Sequence, residues 1–221
     1  MIRRPAMLNE RRESRASFIV LCVLFALVVI ILIFDLLRMR YLLIVEVKGD
    51  SMLDTLYGGE RVGADYEGGD IVYAVRGTSS ARGDIVILDT SQSDAYDPYG
   101  HAVFTADTVI KRIIATQGDS VKCVGGVVWL KQAGGEYVAL DEPYTRGVTP
   151  DFEEVVLDEG EIFFLGDNRT QSADSQDMVA NGYELLTTDS ILGIVPAWAV
   201  SIKEFSTAWE GFRSALYSIF T

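Results

Sequence analysis

Histidine is nearly missing from this sequence: His101 is the only one, and it sits in the turn-like setting Pro98-Tyr99-Gly100-His101-Ala102. With no clustered Cys and His ligands a structural zinc site is excluded, and no metal or cofactor is expected. A Ser/His/Asp triad would have to be built on that one loop histidine. Cysteine is almost as scarce: Cys22 lies inside an apolar run and Cys123 far downstream, so no disulfide can form within the downstream region. A domain of this size does not require one, so the cysteine count does not set the compartment. Positive charge is also short, with a net charge of -13 over 221 residues. The shortage is uneven. Residues 1–40 carry seven arginines against Glu10, Glu13 and Asp35, a balance of +4, which leaves -17 for residues 41–221. An acidic body of that kind lacks the basic footprint that nucleic acid requires.

What the chain does have is one long hydrophobic run. Arg3, Arg4, Arg11, Arg12 and Arg15 precede Phe18 to Phe34, a stretch without a charge. With Ala16, Ser17 and Asp35 to Leu37 at its margins, it is long enough to cross the hydrocarbon of a bilayer, which takes about 20 residues. Five arginines before it outnumber Arg38 and Arg40 after it, so the positive-inside rule places the N-terminus in the cytoplasm and residues 38–221 outside. A removable signal peptide needs small residues at its cleavage site. This segment instead ends Phe34-Asp35-Leu36-Leu37-Arg38-Met39-Arg40-Tyr41, large residues except Asp35, and is read as an uncleaved anchor over residues 16–37.

From Tyr41 onward short β-branched and aromatic runs alternate with Gly and Asp, the pattern of a mostly β domain. Strands are expected over 42–47, 71–74, 84–88, 109–115, 120–123, 127–131, 161–165 and 190–197. Gly69-Asp70-Ile71-Val72 and Gly83-Asp84-Ile85-Val86 read as turn-to-strand junctions, and Asp89 to Gly100 as an exposed loop. Residues 120–160 hold a hairpin and an acidic, Pro-containing loop that includes Asp151-Phe152-Glu153-Glu154, and are read as a small cap subdomain. The cap is inserted between two pieces, 38–119 and 161–204, of one catalytic β core. Residues 205–221 space Phe205, Trp209, Phe212, Leu216 and Ile219 as an amphipathic helix, fit either to pack on the domain or a partner or to lie in a membrane interface.

A serine becomes a nucleophile only when a base takes its proton. Ser51, in Lys48-Gly49-Asp50-Ser51-Met52, follows the apolar run from Tyr41 to Val47. Among five lysines, Lys111 has the surroundings that could supply a neutral amine. On a strand it shares one face with Val109 and Ile113 while Arg112 points to the other. Burial among apolar side chains lowers a lysine pKa toward neutrality. On these residues alone such a lysine more often forms a structural ion pair than acts as a general base.

Four segments, in order behind an anchor, resemble the bacterial type I signal peptidases, the membrane-anchored Ser/Lys proteases. They are Gly49-Asp50-Ser51-Met52, Gly83 to Val86, Lys111-Arg112-Ile113-Ile114 through Gly118-Asp119, and Gly166-Asp167-Asn168-Arg169 followed by Ser172-Ala173-Asp174-Ser175. The resemblance implies a mostly β fold with Ser51 as nucleophile and Lys111 as general base. It implies that Ser172 orients the amine, that Asp174 holds its loop, and that the Ser51 N–H is one oxyanion donor. Gly49, Met52, Asp167, Asn168 and Arg169 stand as supporting residues. The chain departs from the family at three places. Asp54 replaces a usual proline, and Gly49 stands where some relatives carry a serine hydroxyl. Gln176 stands where an arginine commonly pairs with the aspartate. Arg169 and Arg112 are the candidates to replace that arginine, or Gln176 supplies a neutral hydrogen bond.

The resemblance implies substrates that are exported preproteins, cleaved beside the lipid bilayer after small residues at the -1 and -3 positions. The substrate backbone is expected to pair with a strand edge near Ser51 or Lys111, with shallow apolar pockets beside it. The alternative is a non-catalytic or pilin-dedicated assembly factor of the same fold, against which the presence of both Ser51 and Lys111 argues. A self-cleaving repressor would need a DNA-binding helical domain where this chain has a membrane span.

Overall fold

A computed structural model describes the backbone of residues 6–77, 79–96 and 99–220, with side chains from residue 17 onward except 214 and 216–220. The side chains of the five N-terminal arginines, Leu216 and Ile219, and all of Pro98, lie outside the described set. The chain divides into two units, residues 1–42 and 43–221.

The first unit is a single helix, α1 (Ala6–Tyr41). Neither Gly nor Pro interrupts it, and Arg38 and Arg40 in its last turn complement the helix dipole. It continues past Leu37 to Tyr41, and Asp35 and Arg38 pair at 3.5 Å one turn apart. Its stretch Ser17–Tyr41 is 25 residues long and apolar enough to cross a membrane. At ~1.5 Å per residue it reaches ~37 Å, more than the ~30 Å of hydrocarbon.

The second unit is mostly β. Its strands are β1 (Leu42–Glu46), β2 (Glu60–Val62), β3 (Asp65–Glu67), β4 (Ile71–Val75), β5 (Ile85–Asp89) and β6 (Thr108–Thr116), then β7 (Ser120–Val124), β8 (Val127–Lys131), β9 (Tyr137–Ala139), β10 (Phe152–Val156), β11 (Ile162–Leu165) and β12 (Ile191–Val195). Helices α2 (Ser175–Ala180), α3 (Ala197–Ser201) and α4 (Lys203–Phe220) complete it. Six strands form one sheet in the order β1-β4-β12-β5-β6-β11, and the pairs from β4 to β11 run antiparallel.

Alternation decides where the core lies. Along β11, Ile162 and Phe164 enter one buried cluster with Val86, Leu88 and Ile113, while Phe163 and Leu165 enter another with Val121, Val128 and Leu130. Both faces are covered, so the strand reads as an unbroken apolar run. A bulge in β6 sets Phe163 opposite Ala115 and Phe164 opposite Ile113, which puts Ile114 and Ala115 in the same cluster. The third cluster, Val47, Met52, Leu56, Val72, Ala74, Ile85, Ile87, Val195 and Ala199, lies beneath the start of the domain.

Strands β7 to β10 form a second sheet, ordered β10-β7-β8-β9, which shares the Phe163 and Leu165 cluster with the main sheet. The segment Asp151 to Glu154, expected as loop, is a strand from Phe152 on. Phe152 faces Cys123 and Val155 faces Val121, so the partner is one residue short, and the adjacent exposed Glu153 and Glu154 occupy the irregularity. That bulge is what broke the alternation in the sequence. The two-stranded β2–β3 ribbon was not anticipated either, because Glu60-Arg61-Val62 and Asp65-Tyr66-Glu67 are short and largely polar.

Candidate active site

Ser51 sits on a turn directly after β1, and its neighbours fix it. Met52 and Leu56 are buried in the third cluster, each worth ~1.5–3 kcal/mol of transfer free energy. Val47 N–H donates to Asp70 O at 2.8 Å and Gly49 N–H to Gly58 O at 3.1 Å. Gly69 permits this approach, since a Cβ there would meet Val47 O at 1.9 Å. The Leu53–Asp54 peptide is cis, and Asp54 reaches out to Arg146 at 3.1 Å.

Lys111 comes from the middle of β6, opposite Val86 on β5. The Gly83 to Val86 segment therefore has a direct purpose: it pairs with the lysine strand, and Gly83 N–H donates to Ile113 O at 2.8 Å. Lys111 is 3% exposed. Burial pushes its amine down to about 8 against the opposing charges of Asp174, Asp177 and Asp167. Among the described residues no carboxylate pairs with its Nζ within 4 Å. A cleft of about 460 Å³ is lined by Ser51, Met52 and Lys111 together with Val45, Gly49, Tyr66 and Ala173. No hydrogen bond joins Ser51 Oγ to Lys111 Nζ among the described residues. Such contacts are often long before substrate binds. His101 is exposed and is not among the residues lining this cleft.

The segment 166–174 ties the two together. Asp167 is wholly buried. Its Oδ1 accepts from Arg112 Nε at 2.8 Å, and its Oδ2 accepts from Arg112 Nη2 at 2.6 Å and Thr55 Oγ1 at 2.5 Å. Asn168 donates its backbone N–H to Ser51 O at 2.9 Å and its Nδ2 to Asp50 O at 2.9 Å. Arg169 donates to Gly166 O at 3.1 Å and pairs with Glu142. At Gly166 a Cβ would stand 2.3 Å from Ser172 Oγ and 2.5 Å from Ser51 O, so only glycine fits between them.

Ser172 Oγ is buried and makes no well-formed hydrogen bond, but its hydroxyl lies near enough to Asp174 to favour the ionised carboxyl. Asp174 itself is buried, and burial raises its pKa, opposed first by the charge of Lys111. Neither candidate arginine reaches it, because Arg112 is taken by Asp167 and Arg169 by Glu142. Backbone fills the vacancy. Asp174 caps α2, accepting from the Gln176 N–H at 3.2 Å and the Gly166 N–H at 3.1 Å, while Asp177 reciprocates to the Asp174 N–H. Thr55 is a site-building residue not singled out from the sequence, and Arg112, a candidate partner for Asp174, pairs with Asp167 instead. Residues 18–200 match the family model for signal peptidase, peptidase S26.

The chain belongs to the signal peptidase family, peptidase S26. Signal peptidase I from Bacillus licheniformis is 30% identical over 155 residues, covering 66% of this chain and 70% of that protein. Signal peptidase I U from Bacillus subtilis (strain 168) is 30% identical over 159 residues, again 66% and 70%. A crystal structure of a signal peptidase I from Enterococcus faecalis aligns with 54% of this chain and 98% of its own at 22% identity and a TM-score of 0.38. Membership of the signal peptidase family makes the chain a peptidase, and the exposed apolar α1 is consistent with a membrane-anchored one.

Proposed function

We propose that this chain is a single-pass membrane serine endopeptidase that removes signal peptides from exported preproteins through a Ser51/Lys111 dyad. The observation that carries the reading is one lysine, buried on an apolar strand face with its pKa lowered to about 8, lining the same cleft as Ser51. At that pKa a useful fraction of the amine is neutral near pH 7 to 8, and the seryl proton has somewhere to go.

Ser51 Oγ attacks the scissile carbonyl as Lys111 Nζ takes its proton. The Ser51 N–H, which among the described residues makes no hydrogen bond, donates to the developing oxyanion. Lys111 then passes the proton to the leaving amine and activates the water that hydrolyses the acyl-enzyme. Ser172 and Asp174 position the amine. The cleft takes an extended substrate along β1, the edge strand, whose Val45 and Glu46 line it together with Val103, Phe104 and Val109. The excess of arginine before the apolar run places the N-terminus in the cytoplasm and the cleft outside, with residues 120–160 as a cap.

The test is cleavage of a preprotein in detergent by wild type, Ser51→Ala and Lys111→Met. Both substitutions are expected to abolish turnover, and the wild-type rate to climb with pH through about 8. Full activity in either variant, or an inflection that disappears in His101→Ala, overturns the dyad.

A further inference from the structure

The β2–β3 ribbon is a separate two-stranded sheet, paired with neither of the larger ones. Every residue of β2 is exposed and β3 has only Tyr66 half-buried, so the hairpin adds nothing to the three buried clusters. A lone two-stranded hairpin is marginal in water, and ordering it costs conformational entropy that no core contact of its own offsets. Both of its ends are nevertheless pressed against the segment that leads into Ser51. A Cβ at Gly58 would meet Gly49 O at 1.7 Å, and one at Gly69 would meet Val47 O at 1.9 Å. Glycine at each end lets the ribbon leave and rejoin the domain directly on residues 47–49.

From that base the ribbon reaches into the cleft, where Ala64, Asp65 and Tyr66 stand among the residues that line it with Ser51 and Lys111. The Tyr66 ring lies beside Gly49, two positions before Ser51, since a Cβ on Gly49 would stand 3.9 Å from Tyr66 Cε2. One carboxylate ties that residue down. Asp65 accepts from Lys48 Nζ at 3.0 Å on each oxygen, and its Oδ1 also accepts the Tyr66 N–H at 2.8 Å. The Tyr66 N–H and then Lys48 hold the Asp65 carboxyl below its ordinary range, and the bond to Asp65 holds the Lys48 amine above its own. Both side chains of the pair are well exposed, so it holds the ribbon loosely.

We propose that the β2–β3 ribbon is a flap over the scissile bond: the Tyr66 ring packs on the extended preprotein chain bound beside Ser51, and the Lys48–Asp65 pair latches the ring there. The flap rests on the Ser51 cleft being where the preprotein lies. A half-buried ring on an otherwise polar ribbon completes its burial when a chain lies against it. That contact is made with bound substrate and does not change as Ser51 attacks, so it acts on KM and not on kcat. Tyr66 touches substrate, and Lys48 and Asp65 are positioning residues that act through it.

Two measurements test the flap. The full chain carrying Ser51→Ala, with p-benzoylphenylalanine placed at position 66, is expected to cross-link in detergent to a preprotein on residues adjoining its cleavage site. In steady-state cleavage of the same preprotein, Tyr66→Ala is expected to raise KM by about tenfold with kcat unchanged, while Tyr66→Phe keeps the wild-type KM. Lys48→Met is expected to raise KM by about threefold alone and to add nothing to Tyr66→Ala, because the pair works through the ring. Absence of the cross-link, or an unchanged KM in Tyr66→Ala, overturns the flap and leaves the dyad standing. A fall in kcat at unchanged KM makes Tyr66 part of the frame of the site, and equal loss in Tyr66→Phe assigns the effect to the hydroxyl; either overturns the packing role. A cross-link beside the cleavage site in a chain whose wild type does not cleave upholds the flap and overturns the dyad.

Discussion

Replacing Lys111 by methionine is expected to destroy activity and, near neutral pH, to stabilise the fold. The amine falls from an ordinary 10.5 to about 8 on folding because the protein buries it. A drop of about 2.5 at ~1.36 kcal/mol per pKa unit means the folded state holds the charged lysine at a cost of roughly 3 kcal/mol. Below pH 8 both folded and unfolded lysines carry a proton, so the whole cost is present. Between about 8 and 10.5 the folded lysine is neutral while the unfolded one is not, and wild-type stability recovers with rising pH. Above 10.5 both are neutral and the penalty is gone. Methionine has a similar length and no charge, so Lys111→Met removes the cost without opening a cavity.

The assay is denaturant unfolding of both proteins in one detergent from pH 7 to pH 10.5. The variant should be more stable by roughly 3 kcal/mol at pH 7, and the two curves should converge by pH 10.5. A variant less stable than wild type at pH 7, with a difference that ignores pH, would show that Lys111 is a paired structural cation and refute the argument.

Three further changes probe the parts around it. Asp174→Asn keeps an oxygen for the α2 cap but removes the negative charge that opposes burial at Lys111, so the rising limb of the pH–rate profile should move to lower pH; movement to higher pH contradicts the assignment. Gly166→Ala places a methyl 2.3 Å from Ser172 Oγ and 2.5 Å from Ser51 O, and kcat should fall by ~10²-fold with the far-ultraviolet dichroism unchanged, as misplacement of reacting groups by ~1 Å does. Asp167→Asn leaves Arg112, whose side chain is 12% exposed, without its counter-charge and should lower unfolding stability by roughly 3 kcal/mol, read as a shift of the denaturation midpoint.

All eight strands expected from the sequence are present, and the most plainly apolar of them are those whose side chains face two buried clusters. Ile85 to Leu88 and Ile162 to Leu165 are apolar because both sides of them are covered, and Val109 to Ala115 is apolar apart from Lys111 and Arg112. The β2–β3 ribbon, β9 and β10 escaped because hydrophobic periodicity reports burial, and these are exposed or bulged. At the site, Ser51 and Lys111 were readable as a hydroxyl and an apolar-flanked amine, each with its own local pattern. The partner of Asp174 was sought among arginines and proved to be backbone. A signal for it was present, since Asp174 and Asp177 stand three apart before Met178 and Val179, the spacing of a capping box. The pairing of Asp167 with both Arg112 and Thr55 had no local signal, because it joins residues more than fifty positions apart.

That long-range bond ties the Ser51 turn to the Lys111 strand. Ser51 belongs to a turn and Lys111 to a strand that does not neighbour β1, so sheet register alone cannot set their separation. The Asp167 carboxylate takes Arg112, the residue after Lys111, and Thr55, four residues after Ser51, in one buried cluster. Asn168 holds the carbonyls of Asp50 and Ser51, and Gly166 fills the gap to Ser172. Each of these contacts forms without substrate, so the approach of Ser51 to Lys111 is organised in the resting protein. The charge of Lys111 and its position are thus governed by different residues. Burial and Asp174 set the first, which a pH profile reads. Gly166, Asp167 and Asn168 set the second, and Asn168→Ala should therefore lower kcat at every pH while leaving the inflection near 8 where it is.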